Sequence, residues 1–330
     1  MKSGQKCLTR SNIKVKKTNK IKNVNYQFYK FIYIFVSVIF IIILNSLSFF
    51  IIYYKYQSSF INHKNKNSID CSQINRKLYN RTGPFEFELE FLFISNLIEC
   101  NVSISLIRFG DGENLIMKGN DLKVVLDKWH WHPENKNFQQ SLIESSSICV
   151  NNNSFIGIPC KNWFKISESI LSFSNCTNSK YMTFATVFIN KNYILFQDWI
   201  LRFINSPNRR KIILVANSFI NKSISWAEKY FPVPDHLVEN WDTDGESLLS
   251  KLSEQAKINN QIFFISAGPA ANIIVSRLSK INKNNSYIDF GSSIEFITKG
   301  YSTRPYSWDN NLSKHRCETF IFENRNLTYS

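Results

Sequence analysis

The run ISLIRFGDGE, residues 104–113, closes an apolar segment on Arg108 and then sets two carboxylates, Asp111 and Glu113, either side of Gly112. In extended backbone, residues two apart face the same way. Gly110 and Gly112 permit a sharp turn and close backbone approach. Two hard oxygen ligands on one side suit Mg2+ or Mn2+, ions that also bind phosphate oxygens. The same triplet also reads as a solvated turn with Arg108 paired to Asp111. Leu115 stands where an EF-hand loop needs a ligand, which excludes that loop.

Four further segments hold chemistry-bearing residues. WDTDGESLL offers Asp242 and Asp244 as a second acidic pair, but Thr243 and Glu246 have capping-box spacing, and acids favour a helix's first turn. Capping is the preferred reading there. HWH sets His130 and His132 on one face if extended, with no third ligand at an obvious spacing, so a surface pair is preferred to a zinc site. ISAGPAANIIV places Gly268 and Pro269 at a strand-to-helix turn, where backbone N–H groups could hold a phosphate. Asp289 in YIDFG could orient a hydroxyl from a strand end or cap a turn. The chain has no G-x-S-x-G elbow and no H-E-x-x-H helix, which argues against hydrolase and zinc-protease chemistry.

These residues need a scaffold. SISLIRF, SFIGIP, MTFATVFI, KIILVAN, QIFFIS and SYIDFGSS read as strands. FQQSLIESSSI, SISWAEKYF, SLLSKLSEQA and AANIIVSRLSKI read as helices. So does YILFQDWILRFI, with Tyr193, Phe196, Trp199, Ile200 and Phe203 on one face. Strands alternating with helices predict an α/β fold with a mostly parallel sheet. Ligands in such folds bind at the carboxyl ends of strands, so the segments after Phe109, Ser266 and Ile288 are the candidates.

The 330 residues are 44% hydrophobic, enough for one sizeable domain with appendages or for two small domains. The net charge of +15 is unevenly placed: residues 1–30 hold nine Lys/Arg and no acid. A basic stripe on the folded part is missing, which argues against nucleic acid. Phe31 to Tyr54 carries no charge and is long enough to span a hydrocarbon core as a helix. Lys30 and Lys55 flank it, and the positive-inside rule puts the tail in the cytosol. The expected organisation is a basic cytosolic tail (1–30), a transmembrane signal-anchor (31–54), a polar stem (55–80) and a lumenal domain (81–330). That is a single-pass type II membrane protein of the Golgi or ER. Cys71, Cys100, Cys149, Cys160, Cys176 and Cys317 would then meet an oxidising compartment and allow up to three bridges of undetermined pairing. Sequons at Asn80, Asn101, Asn152, Asn175, Asn221, Asn284, Asn311 and Asn326 permit a lumenal location without establishing it.

Taken in order, ISLIRFGDGE, FIGIPC, TVFINKNY, FPVPDHLVENW, FISAGPAANII and YIDFGSSIEFITKGYSTRPY resemble the sequence blocks of the GT-D fold glycosyltransferases, whose metal motif is D-x-E. RFGDGE is the most specific block, and the resemblance spans about residues 85–308. It implies a Rossmann-like, mostly parallel sheet. It also implies transfer of a sugar from a nucleotide-sugar, a UDP-sugar, to a glycan or glycoprotein acceptor, with Mn2+ or Mg2+ on the diphosphate. By the same resemblance Asp111 and Glu113 are the metal pair, and Arg108, Phe109, Gly110 and Gly112 border the donor. Gly268 and Pro269 shape a second loop near the nucleotide, Asp289 ends the last strand at the site, and Arg304 joins the donor-binding set from the STRPY block. Glu295 departs from the pattern, where an Asp is expected. Asp242, Asp244, Glu246 and Asp289 remain alternatives for a base. A catalytically silent, membrane-anchored carbohydrate-binding or adhesion module on the same fold is the competing function. A nucleotide-sugar hydrolase is a third. Retention of both carboxylates favours an enzyme.

Overall fold

The computed structural model describes residues 35–36 and residues 70–328 apart from 125–128, 149–152, 161–163, 175–178, 218–223, 310–311, 318–320 and 324–325. The body is one compact unit, Ile69–Ser330. The anchor expected over Phe31–Tyr54 lies outside the described residues except at 35–36. Among the described residues no helix is long and apolar enough to cross a membrane.

The strands in chain order are β1 (Ser105–Arg108), β2 (Leu122–Val124), β3 (Trp129–Trp131), β4 (Ser154–Ile158), β5 (Met182–Phe184), β6 (Lys211–Asn217), β7 (Lys229–Val233), β8 (Gln261–Ser266) and β9 (Ser286–Asp289). Seven of them form one sheet in the order β5-β4-β1-β9-β8-β6-β7, and every pairing in it is parallel. β2 and β3 form a separate antiparallel hairpin. So do β10 (Ile321–Glu323) and β11 (Asn326–Thr328) near the C-terminus.

The α-helices are α1 (Cys71–Tyr79), α2 (Phe87–Glu99), α3 (Asp111–Met117), α4 (Lys136–Ser145), α5 (Phe164–Phe173), α6 (Tyr193–Ile204), α7 (Glu246–Ala256), α8 (Ala270–Ile281) and α9 (Glu295–Thr298). Parallel strands joined by helical crossovers are buried on both faces, so they read as unbroken apolar runs. β6 shows the consequence: Ile213 and Val215 enter one core with residues of α4, α7 and α8. Its alternate residues Ile212, Leu214 and Ala216 enter the other, with α2 and α6. All five residues expected on the buried face of α6 are buried.

Three local expectations are corrected. The described part of SISWAEKYF, from Ile224 on, is not a helix: a turn at Ser225–Trp226 is followed, from Lys229, by edge strand β7. MTFATVFI is extended only over Met182–Phe184, after which the chain turns and buries Val187 and Phe188. At WDTDG the capping box does not form. A single π-helical turn, Trp241–Gly245, runs straight into α7, Thr243 Oγ1 donates back to Asn240 O, and Asp242 accepts from Asn137. Gly245 lies so close to the indole of Trp241 that a Cβ there would collide with it.

Among the described residues two disulfides fix the periphery. Cys71–Cys100 joins α1 to the end of α2, and Cys160–Cys317 joins the segment after β4 to the C-terminal region. Cys149 and Cys176 lie outside the described residues. A fully buried ion pair, Arg81 with Glu90, fastens α2 to the β5 edge. Arg81 also donates to Met182 O, and Glu90 accepts from Thr183 Oγ1.

Candidate functional site

The chain runs outward from β1 through β4 to β5, then crosses to β6, β7, β8 and β9, which returns beside β1. The two halves meet between β1 and β9, where a sheet of this kind opens a crevice at its carboxyl end. The strands ending at Arg108, Ser266 and Asp289 are thus neighbours in the centre of the sheet.

Arg108 joins these strand ends. Its Nε donates to Asp289 O at 2.8 Å and its Nη1 to Ala185 O at 3.0 Å; its Nη2 lies 3.4 Å from Asp289 Oδ1. It pairs with Asp289 and not with Asp111. Its backbone is held equally firmly: Asn272 of α8 accepts from Arg108 N and donates to Arg108 O. The guanidinium is therefore committed to protein carbonyls and one carboxylate, and its strongest role is to hold β1, β9 and the turn after β5 in register.

Phe109 is fully buried beneath the turn. Gly110 then starts α3, so Asp111 and Glu113 lie in a helical first turn and not in extended backbone. The extended expectation fails because acidic side chains at the first turn satisfy free N–H groups and interact favourably with the positive end of the helix dipole. Positions two apart on a helix diverge in direction, and the two carboxyls behave differently. Asp111 is exposed, with Oδ1 accepting from Gly112 N. Glu113 folds back, and its Oε2 accepts from Gly110 N at 2.9 Å. That fold-back returns its carboxyl to the helix N-terminus. There, burial of the carboxyl pushes its pKa up to about 7, and the charges of Asp289 and Asp111 add to the rise against two backbone hydrogen bonds that lower it. Asp289 is also raised by burial, with Arg108 and the Gly291 N–H opposing.

Asp111, Glu113 and Asp289 are hard oxygen donors of the kind a divalent cation takes, although they do not bring three ligand atoms within 4.8 Å of one another. Glu113 feels the charges of Asp289 and Asp111, and among the described residues no Lys or Arg forms an ion pair with Asp111 or Glu113. Asp111 and Glu113 are the residues that would hold it.

The second loop forms as expected. β8 ends at Ser266, Gly268 takes a positive φ of 55°, Pro269 leads into α8, and the helix N-terminus faces the same end of the sheet. Trp129 of β3 covers this turn: a Cβ on Gly268 would lie 3.4 Å from its Nε1, and that buried N–H has no hydrogen-bond partner among the described residues. Asp289 Oδ1 also accepts from Gly291 N, so it caps the turn after β9. Arg304 lies at the start of the short turn Pro305–Ser307, whose Tyr306 hydroxyl is 3.0 Å from Ser292 Oγ. The STRPY block is thereby docked on the loop that follows β9.

Sequence reasoning left out the β2–β3 hairpin, which covers both loops. Leu122 packs at Gly112 and Trp129 at Gly268. It also supplies the third partner that HWH was expected to lack. Asp121 Oδ1 lies 3.0 Å from His130 Nε2 and 3.3 Å from His132 Nδ1. The available signal was the alternation Asp121-x-Lys123 against His130-x-His132, legible once the two short segments are paired as strands.

Residues 92–297 match the pattern of the GT-D-like family, described as a GT-D fold-like domain. The chain belongs to the GT-D-like family. Among solved structures it is similar to one titled "The highly conserved domain of unknown function 1792 has a distinct glycosyltransferase fold", at 16% identity and a TM-score of 0.47 over 73% of this chain and 93% of that one. A selenomethionine-substituted structure of the same domain of unknown function gives 16% identity and a TM-score of 0.45 over 78% and 96%. No curated protein matches the chain.

Proposed function

We propose that this GT-D-like protein is a metal-dependent glycosyltransferase that moves a sugar from a nucleotide-sugar, a UDP-sugar, to a glycan or glycoprotein acceptor. The observation that carries the proposal is the GT-D-like family match over residues 92–297, with Asp111 and Glu113 following β1 at the carboxyl end of the sheet and no cationic side chain paired to either among the described residues. A diphosphate-bound cation is the natural complement of such a site.

A Mn2+ or Mg2+ ion bound there would act as a Lewis acid toward the leaving diphosphate. The chain's own residues do the rest. Asp111, whose carboxylate is exposed, and Glu113 would hold the ion, and Glu113 also fastens the α3 N-terminus by accepting from Gly110 N. The N-terminus of α8 beyond Gly268 presents backbone N–H groups that favour developing negative charge. Arg108 positions Asp289, and the Trp129 indole N–H offers one further donor at the Gly268 turn. The basic tail and the uncharged run Phe31–Tyr54 support a type II anchor in the Golgi or ER membrane, with the body on the lumenal side. The two disulfides agree with an oxidising compartment.

The test is UDP release across a panel of UDP-sugars with Mn2+ and with EDTA. Donor-specific release that EDTA abolishes supports the proposal. Release indifferent to EDTA, or none with any donor, overturns it, the latter in favour of the silent carbohydrate-binding module. Free sugar released without an acceptor would point instead to a hydrolase. Asp111→Asn is expected to remove activity by at least about 100-fold with an unchanged melting temperature, because the side chain is exposed and its loss leaves no cavity.

A further inference from the structure

We infer that Asp121, His130 and His132 form a separate metal centre for a zinc-class ion on the β2–β3 hairpin. Of the described residues, these three alone bring three His, Cys, Asp or Glu ligand atoms within 4.8 Å of one another. The separations from Asp121 Oδ1, 3.0 Å to His130 Nε2 and 3.3 Å to His132 Nδ1, approach the roughly 3.3 Å edge of a tetrahedron built on Zn–N and Zn–O bonds of about 2 Å. Two imidazoles and one carboxylate select a borderline ion such as Zn2+, whereas the all-oxygen D-x-E pair selects Mg2+ or Mn2+. Three protein ligands leave the fourth position open to solvent, since all three side chains are partly or largely exposed.

The hairpin geometry builds the site. Leu122 pairs with Trp131 and Lys123 with His130, so one step further along the register Asp121 comes beside His132. Side chains two apart share a face, which puts Asp121, His130 and His132 together and turns Leu122 and Trp131 the other way. The imidazoles lie 3.7 Å apart between centroids. The strand that carries them is anchored from outside the hairpin, where Glu239 Oε1 accepts from His130 N. The same oxygen lies 3.2 Å from His236 Nδ1, and Glu239 Oε2 is buried with no partner among the described residues. Lys123 shares the face and is exposed. An ion here would clip the start of β2 to β3. Because the residues next to the ligands, Leu122 and Trp129, cover Gly112 and Gly268, it would also stiffen the cover over both loops.

The test uses the full-length chain stripped with EDTA and titrated with ZnCl2 by calorimetry, with Co2+ absorption as a second readout. One equivalent is expected to bind with a tetrahedral Co2+ spectrum. His130→Ala/His132→Ala and, separately, Asp121→Asn should each weaken it by more than the roughly 10- to 100-fold that loss of an outer-shell partner costs. Asp111→Asn should retain the equivalent, which separates this centre from the D-x-E pair. Circular dichroism melts confirm that the variants are folded. No zinc bound to the parent, unchanged affinity in both ligand variants, or loss of the equivalent in Asp111→Asn would each overturn the assignment.

Discussion

At the scale of single residues, Glu113 combines two duties that pull in opposite directions. It caps the first turn of α3, which wants a charged or hydrogen-bonding oxygen, and it sits where burial and neighbouring acids disfavour charge. A carboxyl raised in the folded state binds a proton there that the unfolded chain has already released. Its contribution is therefore complete below the unfolded value near 4.5 and is lost as pH rises through about 7. In EDTA the protein should lose on the order of 1–3 kcal/mol between pH 5 and 8 from this group. Glu113→Gln should flatten that slope while keeping the bond to Gly110 N. Urea unfolding at both pH values measures it, and an equally steep slope in the variant would refute the account. Asn272 is the other decisive residue. Asn272→Ala removes both bonds to the Arg108 backbone and leaves a buried N–H and C=O unmatched, at about 2–4 kcal/mol. Chemical denaturation would show it as a lowered midpoint.

At the scale of elements, the turn after β9 is the most constrained. Gly291 has a φ of +52°, and a Cβ there would collide with the Arg108 guanidinium. Gly291→Ala should therefore cost about 1–3 kcal/mol and displace Arg108 from Asp289. Under the proposed function, donor turnover should fall as well, and a variant with normal turnover would show that the register of β1 and β9 is not needed. The elements legible in the sequence were those with one unambiguous period. KIILVAN and QIFFIS are apolar without interruption because both faces of a central parallel strand are buried, and α6 shows a clean helical stripe. SISWAEKYF misled because Trp226 and Tyr230 are spaced as on a helix, although they belong to a turn and an edge strand. The D-x-E pair and the Gly268 turn were legible as residues. Their geometry was not, since nothing local distinguishes an extended acidic turn from a helix N-terminus. The β2–β3 hairpin was invisible because three-residue strands fall below any periodic window, and with it went Asp121 and Trp129.

At the scale of the whole molecule, the sheet places its chemistry at one end and its fastenings around the periphery. The Cys160–Cys317 bridge spans a sequence separation of 157 and Cys71–Cys100 one of 29. On a chain-entropy account these are worth about 5 and about 3.5 kcal/mol. Paired Cys→Ser replacement at Cys160 and Cys317 should accordingly lower the melting temperature more than the pair at Cys71 and Cys100. Calorimetry on the two double variants gives the comparison, and the reverse order would locate the stability nearer the N-terminal end of the body.

The longer bridge has a practical corollary. Its second half-cystine lies twenty residues beyond the family-matching segment, which stops at residue 297. A chain cut at residue 297 but keeping Cys71 would orphan the thiol of Cys160 and uncover it by deleting its mate. Such a fragment should show a dithiothreitol-sensitive dimer on a non-reducing gel that the same fragment carrying Cys160→Ser lacks.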